Sequence, residues 1–288
     1  MSAVASAAAP ERLRAAKTIG PPSFSPTRIA GDLKRLAQYT DLLLTLTHHR
    51  IRVRYKQSSL GILWAILQPL ALMVIYTVIF SVVTRVQTGR TPYAIFVFTG
   101  LLPWTFFSSS VTAGANCLVT HSQLITKVWF PREILPLTYV FSAGFDLMIA
   151  ALVLAAMMLY YRIAPGPEVV WLLPIMLIAA LFAAAVALAL SATQVWFRDI
   201  GLALPLALQV WMFACPVVYP LTSVPLRFRA LYILNPMAGV IENFRRVLIG
   251  GQSPDMASLA SAAAITLVVL MAAYLYFKNR EAIMADVI

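Results

Sequence analysis

The chain has 288 residues, a formal net charge of +11, 61% hydrophobic and only 11% charged residues, and a mean hydropathy of +0.82. A soluble domain carries about 25% charged residues, so the composition points to a polytopic membrane protein and away from a soluble enzyme. Ten of the 22 Lys and Arg lie before Gln57, a bias that suits an anionic membrane surface or an acidic partner; without a basic soluble domain, nucleic acid is a poor alternative.

Residues 1–27, rich in Ala, Pro and Ser, are expected to form a disordered cytoplasmic tail. The Ala-rich start precedes Arg12 and Arg14, the reverse of the order in a signal peptide. Over residues 28–60 the pattern becomes amphipathic. Leu33, Leu36, Tyr39, Leu43 and Leu46 recur at steps of three and four, which predicts a helix lying in the membrane interface or packed on a partner. Arg50, Arg52, Arg54 and Lys56 then end abruptly, and no charge follows until Arg85. Such a cluster holds the start of a span on the cytoplasmic side.

Residues 61–288 are expected to be an all-α transmembrane domain of six spans, at about 62–84, 93–119, 134–160, 169–197, 200–222 and 256–277. Gly100 and Pro103 interrupt the second, and Asp146 sits near the middle of the third. Six spans place both termini on one side. The basic cluster at the first span, which usually dominates orientation, assigns that side to the cytoplasm. Cys117 and Cys215 fall at different depths, too far apart to pair.

The segment 226–250 is too short to cross. Its longest uncharged run, 230–241, has 12 residues and is cut by Asn235-Pro236. With Arg227 and Arg229 on one side and Arg245 and Arg246 on the other, it predicts a re-entrant hairpin dipping from outside before the last span. Both flanks are expected to reach water or headgroups.

Catalytic motifs are sparse. The sequence has no G-x-x-x-x-G-K-[ST] run for ATP, no G-x-S-x-G elbow and no H-x-x-x-H pair. His48, His49 and His121 are expected to be interfacial rather than metal ligands. Between the second and third spans, Leu124, Ile125, Val128 and Trp129 form the stripe of a short helix, with Ser122 as its cap and Pro131 ending it. The stripe is either an interfacial anchor or a docking knob for a soluble partner, since Trp and Arg are enriched at interface hot spots.

Arg54-Tyr55-Lys56-Gln57-Ser58, Leu60-Gly61, Trp64 and Gln68-Pro69 resemble the entry to the first span of permease subunits of polysaccharide-exporting ABC transporters, of the O-antigen and teichoic acid type. Phe130-Pro131-Arg132-Glu133-Ile134, Phe197-Arg198-Asp199-Ile200, Pro216-Val217, Asn235-Pro236-Met237 and the closing Ala285-Asp286-Val287-Ile288 are similar to family motifs in the same order. Met284 stands where the family usually has Phe.

The resemblance implies a channel-forming homodimer in the bacterial inner membrane, served by two copies of a separate ABC ATPase that binds ATP and Mg. It implies a lipid-linked glycan as substrate, with no cofactor, metal or catalysis in this chain. ATPase coupling would then fall to Gln123, Leu124, Lys127, Val128, Trp129, Arg132 and Glu133, and an outer gate to Leu234, Asn235, Pro236 and Met237. Tyr76, Phe80, Phe96, Trp104 and Phe107 can stack on sugar rings in a pore or face lipid, and Asp146 can serve the pathway or a structural role. A permease for teichoic acid, capsule, lipid or drugs is the nearest alternative; a membrane acyltransferase lacks its constellation.

Overall fold

The computed structural model describes Gly31 and residues 36–56, 60–83 and 91–287. The expected tail, Leu33, Gln57-Ser58 and the charges Arg85 and Arg90 lie outside the described residues. Among the described residues every regular element is helical: α1 (Thr40–Lys56), α2 (Trp64–Thr77), α3 (Tyr93–Ala115), α4 (Cys117–Thr120), α5 (Ser122–Lys127), α6 (Ile134–Tyr160), α7 (Leu172–Gln194), α8 (Ile200–Phe213), α9 (Leu226–Ile233), α10 (Pro236–Leu248) and α11 (Met256–Val287).

Five helical segments are long and apolar enough to cross a membrane: Gly61–Ser81, Tyr93–Ala115, Ile134–Tyr160, Pro167–Gln194 and Met256–Glu281. The expected fifth span differs. Its helix stops at Phe213 after 14 residues, about 21 Å at 1.5 Å per residue. Pro216 offers no amide and disfavours helix at Cys215, so the chain continues as irregular backbone that is buried from Cys215 through Val218. The second span runs unbroken through Gly100 and Pro103, a departure from the expected interruption. A proline is tolerated in such a helix because neighbours satisfy the freed backbone.

The centre of the bundle is α3. Ile95, Val97, Phe98, Leu101, Phe107 and Val111 are wholly buried and point in all directions around it, as a helix apolar on every face must. It packs against α6 and α7, and α7 packs in turn against α11. The α3–α7 approach is close because small residues line it. A Cβ on Gly114 would come within 2.8 Å of the Ala187 Cβ, and Ala183, Ala184 and Ala187 continue the stripe.

A second apolar cluster sits at one end of the bundle. Leu36, Tyr39, Leu43 and Leu46 of the expected stripe, joined by Leu42, pack on the cluster that holds Ile134, Leu135, Tyr139, Val195, Phe277 and Met284. The N-terminal helix and the last turns of α11 therefore share one end. Cys117 and Cys215 are both buried and free. At the start of α5 the N-cap is His121, with no side-chain cap bond, instead of the expected Ser122.

Candidate functional site

A cavity of about 530 Å³ opens between α2, α3, α6 and α8, with Arg54 of α1 at its edge. Thr105, Ser108, Ser109 and Thr112 recur at steps of three and four, which places their hydroxyls on one face of α3, toward this space. Thr105, Ser108 and Ser109 donate to carbonyls of their own helix, at 2.8, 3.3 and 3.2 Å. Their oxygen lone pairs remain available to a hydroxylated ligand. Gln68 from α2 and Gln209 from α8 add exposed amides. Within apolar helices, that is a polar stripe facing an open space.

Of the six residues assigned to a channel from sequence, Tyr76, Trp104 and Asp146 line this cavity. The other three are packed elsewhere. Phe80 stacks on Tyr93 at 6.5 Å, Phe96 lies beneath the Arg245 guanidinium at 3.7 Å, and Phe107 stacks on Phe182 at 5.4 Å with the Trp211 edge against it. Sequence reasoning weighted aromatic rings and passed over Gln68, Thr105, Ser108, Ser109, Thr112 and Gln209. The helical spacing of the hydroxyls within an apolar span was the available signal.

Asp146 is not an unpaired acid. Its Oδ2 lies 2.5 Å from Arg54 Nη1, and the Tyr55 hydroxyl donates to its Oδ1. Burial, with the Asp146 hydrogen bond adding to it, raises the Tyr55 phenol above its ordinary pKa. One helical turn back on α1, Arg50 stacks on the Tyr139 ring at 3.4 Å, and burial lowers its pKa. Arg50 and Arg54 of the basic cluster are thereby fixed along the first half of α6, Arg54 reaching the cavity edge.

The loop expected to dock a partner is split in its exposure. Gln123, Lys127, Val128 and Trp129 are exposed, Trp129 by 76%, and Leu124 is half-buried. The helix stops at Lys127, and Val128 is extended. Phe130 and Pro131 then turn inward. Arg132 and Glu133 are held by α11: the Arg132 amide donates to Glu281 Oε1 at 3.2 Å, and Lys278 Nζ lies 2.8 Å from Glu133. Burial first, then the Glu281 charge, push the Glu133 carboxyl above the usual carboxylate range, with Lys278 opposing them. His121 Nε2 lies 3.0 Å from the Tyr139 hydroxyl, while His48 and His49 are exposed.

At the far end, Asn235 joins α9 to α10. Its side-chain oxygen accepts from the Met237 amide at 3.2 Å, and its Nδ2 lies 3.1 Å from Cys215 Sγ. Leu234 is exposed, whereas Pro236 and Met237 are buried. Arg245, expected to reach water, is also buried. Its guanidinium donates to the carbonyls of Pro216 (3.0 Å) and Val217 (2.9 Å), in the irregular run after α8. The Tyr93 hydroxyl donates to Val218 O at 2.5 Å and the Tyr219 hydroxyl to Phe213 O at 2.7 Å. Buried non-helical backbone needs such donors, and Gly100 makes room for them: a Cβ there would meet Arg245 Nη2 and Val217 O at 2.6 Å.

A continuous match to a family described as ABC-2 type transporter spans residues 41–249, from α1 to the end of α10. The chain belongs to the ABC-2 type transporter family. Relatives named O-antigen export system permease protein RfbA share 34% identity over 86% of this chain and 96% of the Myxococcus xanthus protein, and 32% over 73% of this chain and 81% of a Klebsiella pneumoniae protein. A relative named polysialic acid transport protein KpsM, from Escherichia coli, shares 24% over 80% of this chain and 90% of its own length. With its apolar helices, this ABC-2 chain is a multi-pass membrane protein.

Proposed function

We infer that the chain is the membrane-spanning permease of an ABC exporter, moving a lipid-linked polysaccharide of the O-antigen kind across the bacterial inner membrane. ATP and Mg are bound by a separate ATPase subunit, two copies of which serve a permease homodimer. The observation that carries this reading is the cavity: hydroxyl and amide groups on three helices beside Trp104 and Tyr76 match the alternating polar and apolar faces of a sugar chain. The identity to O-antigen permeases exceeds that to the polysialic acid protein, which favours O-antigen over capsule.

In this reading α8 and the irregular run after it form the short fifth of six spans. The α1 end of the bundle is cytoplasmic, with α1 in the interface beside its cations and both termini on that side. The exposed apolar faces of α2 and α8 flank the open side of the cavity and meet the second copy there. Gln123, Lys127, Val128 and Trp129 contact the ATPase subunit. Outside, α9 and α10 form a re-entrant hairpin whose Asn235 turn gates the path. The gate is probed by a cysteine at Leu234, which is exposed; Met237 and Ala238 are too buried to crosslink.

Depletion of the protein in its native host should leave lipid-linked glycan accumulating on the inner face of the inner membrane. Normal glycan at the surface and none retained inside would overturn the reading.

A further inference from the structure

We propose that α11 is a transmission rod between the docking loop and the α9–α10 turn, with Lys278 as the positioning residue that fastens its lower end. The proposal rests on the permease reading above and concerns how the docking loop acts once it is engaged. Three observations converge on it.

At the lower end, four charged residues join the loop to α11. Lys278 Nζ bridges Glu133 Oε1 at 2.8 Å and Glu281 Oε2 at 2.9 Å. Arg132 adds its amide bond to Glu281 Oε1 at 3.2 Å, and its guanidinium donates to the Glu281 carbonyl. The Glu133 side chain is 3% exposed, and its Oε2 has no hydrogen-bond partner among the described residues. Lys278 is thus the cation that compensates a buried carboxylate, and a buried charge left alone is costly. Between Glu133 and the exposed Trp129 lie only Phe130, Pro131 and Arg132, the first two buried. A push on Trp129 has little slack before it reaches Glu133.

Continuity is the second observation. The 32 residues of α11 form one helix, about 48 Å long at 1.5 Å per residue and longer than a hydrocarbon core of about 30 Å.

The upper end supplies the third. There α11 and the turn before it grip α10: the Asp255 amide donates to Asn243 Oδ1 at 2.7 Å, and Asn243 Nδ2 lies 3.5 Å from Ser258 Oγ. The approach is tight, since a Cβ on Gly239 would sit 3.2 Å from both Ala262 Cβ and Ser258 O. α10 begins at the Asn235 cap. One rigid helix therefore has its first turns on the helix that starts at the turn and its last turns on the docking loop.

The test uses the full permease with its ATPase subunit, in a host deleted for the permease. Four quantities are read: permease in the membrane, co-purified ATPase subunit, ATP hydrolysis by the complex, and glycan at the surface. Lys278→Met should retain assembly and hydrolysis within about twofold while export per ATP falls about tenfold, within the range of coupling energies. The exchange Glu133→Lys with Lys278→Glu should recover most of that loss. The neutral pair Glu133→Gln with Lys278→Met removes the buried carboxylate together with its cation, leaves the partly exposed Glu281 to the Arg132 amide and solvent, and should still export poorly.

Full export by the neutral pair would reduce the cluster to a fold-stabilising role and overturn the proposal. So would normal export by Lys278→Met. If Lys278→Met fails to insert, the two double variants decide the matter by the same criteria. Trp129→Ala tests the docking reading separately: normal assembly and export in that variant would sink the docking reading, whatever the Lys278 variants do.

Discussion

The two ends of the bundle handle buried charge in opposite ways. At the α1 end, acids and bases neutralise one another: Arg54 with Asp146, and Lys278 with Glu133 and Glu281. At the other end Arg245 lies 3.6 Å from Glu242, but its hydrogen bonds go to the carbonyls of Pro216 and Val217, and its face lies on Phe96. The first arrangement joins separate elements through side chains. The second repairs a broken helix, replacing the amide donors that α8 lost when it stopped at Phe213. A guanidinium suits that task because its fork of donors reaches two carbonyls at once.

Removing one charged partner at each end separates the two arrangements most sharply. Arg245→Met leaves two buried carbonyls without donors, at about 1–3 kcal/mol each. We expect loss of most folded protein, read as monodisperse material after detergent extraction, with Arg245→Lys intermediate. A smaller loss, about 1–3 kcal/mol, is expected for Gly100→Ala, whose new methyl would press on Arg245 and Val217. Its melting temperature should fall, and the further fall that Gly100→Ala causes in an Arg245→Lys background should be smaller, because the guanidinium it presses on is gone. Asp146→Asn should cost less, about 1 kcal/mol or under, because Arg54 is half exposed and the Tyr55 hydroxyl can still donate to the amide oxygen. A Tm shift as large as that of Arg245→Met would erase the distinction between the two ends. Smallest in stability is Trp129→Ala, within about 0.5 kcal/mol, since that ring is largely free of its own chain; its effect should appear in retention of the ATPase subunit.

Much of the architecture was legible because spans announce themselves by uncharged length. The third expected span has the bounds of α6, Ile134–Tyr160, whereas the stripe of the N-terminal segment, expected at the membrane interface or on a partner, packs on the second cluster of its own chain. The helix of the fifth expected span is shorter than its uncharged run, for a physical reason. Pro216 was visible, but hydropathy does not separate helix from buried irregular chain, and the donors that permit the latter come from Tyr93 and Arg245, distant in sequence. For the same reason Arg245 was assigned to water. Asp146 was found as an acid in a span, but its partners Arg54 and Tyr55 lie about 90 residues away and no local pattern links them. In the cavity, aromatic residues drew attention that belonged partly to hydroxyls; a Phe in a span is ordinarily core, as Phe96 and Phe107 are.

We propose that polysaccharide passes along the polar face of α3. It is tested most directly by a cysteine at Ser109, in a chain whose Cys117 and Cys215 have been replaced by Ala, probed with a small hydrophilic thiol reagent. Rapid labelling is expected in the idle complex, with protection while glycan is being exported and loss of export once the label is attached. Labelling at the same rate during export, with export undiminished afterwards, would contradict it.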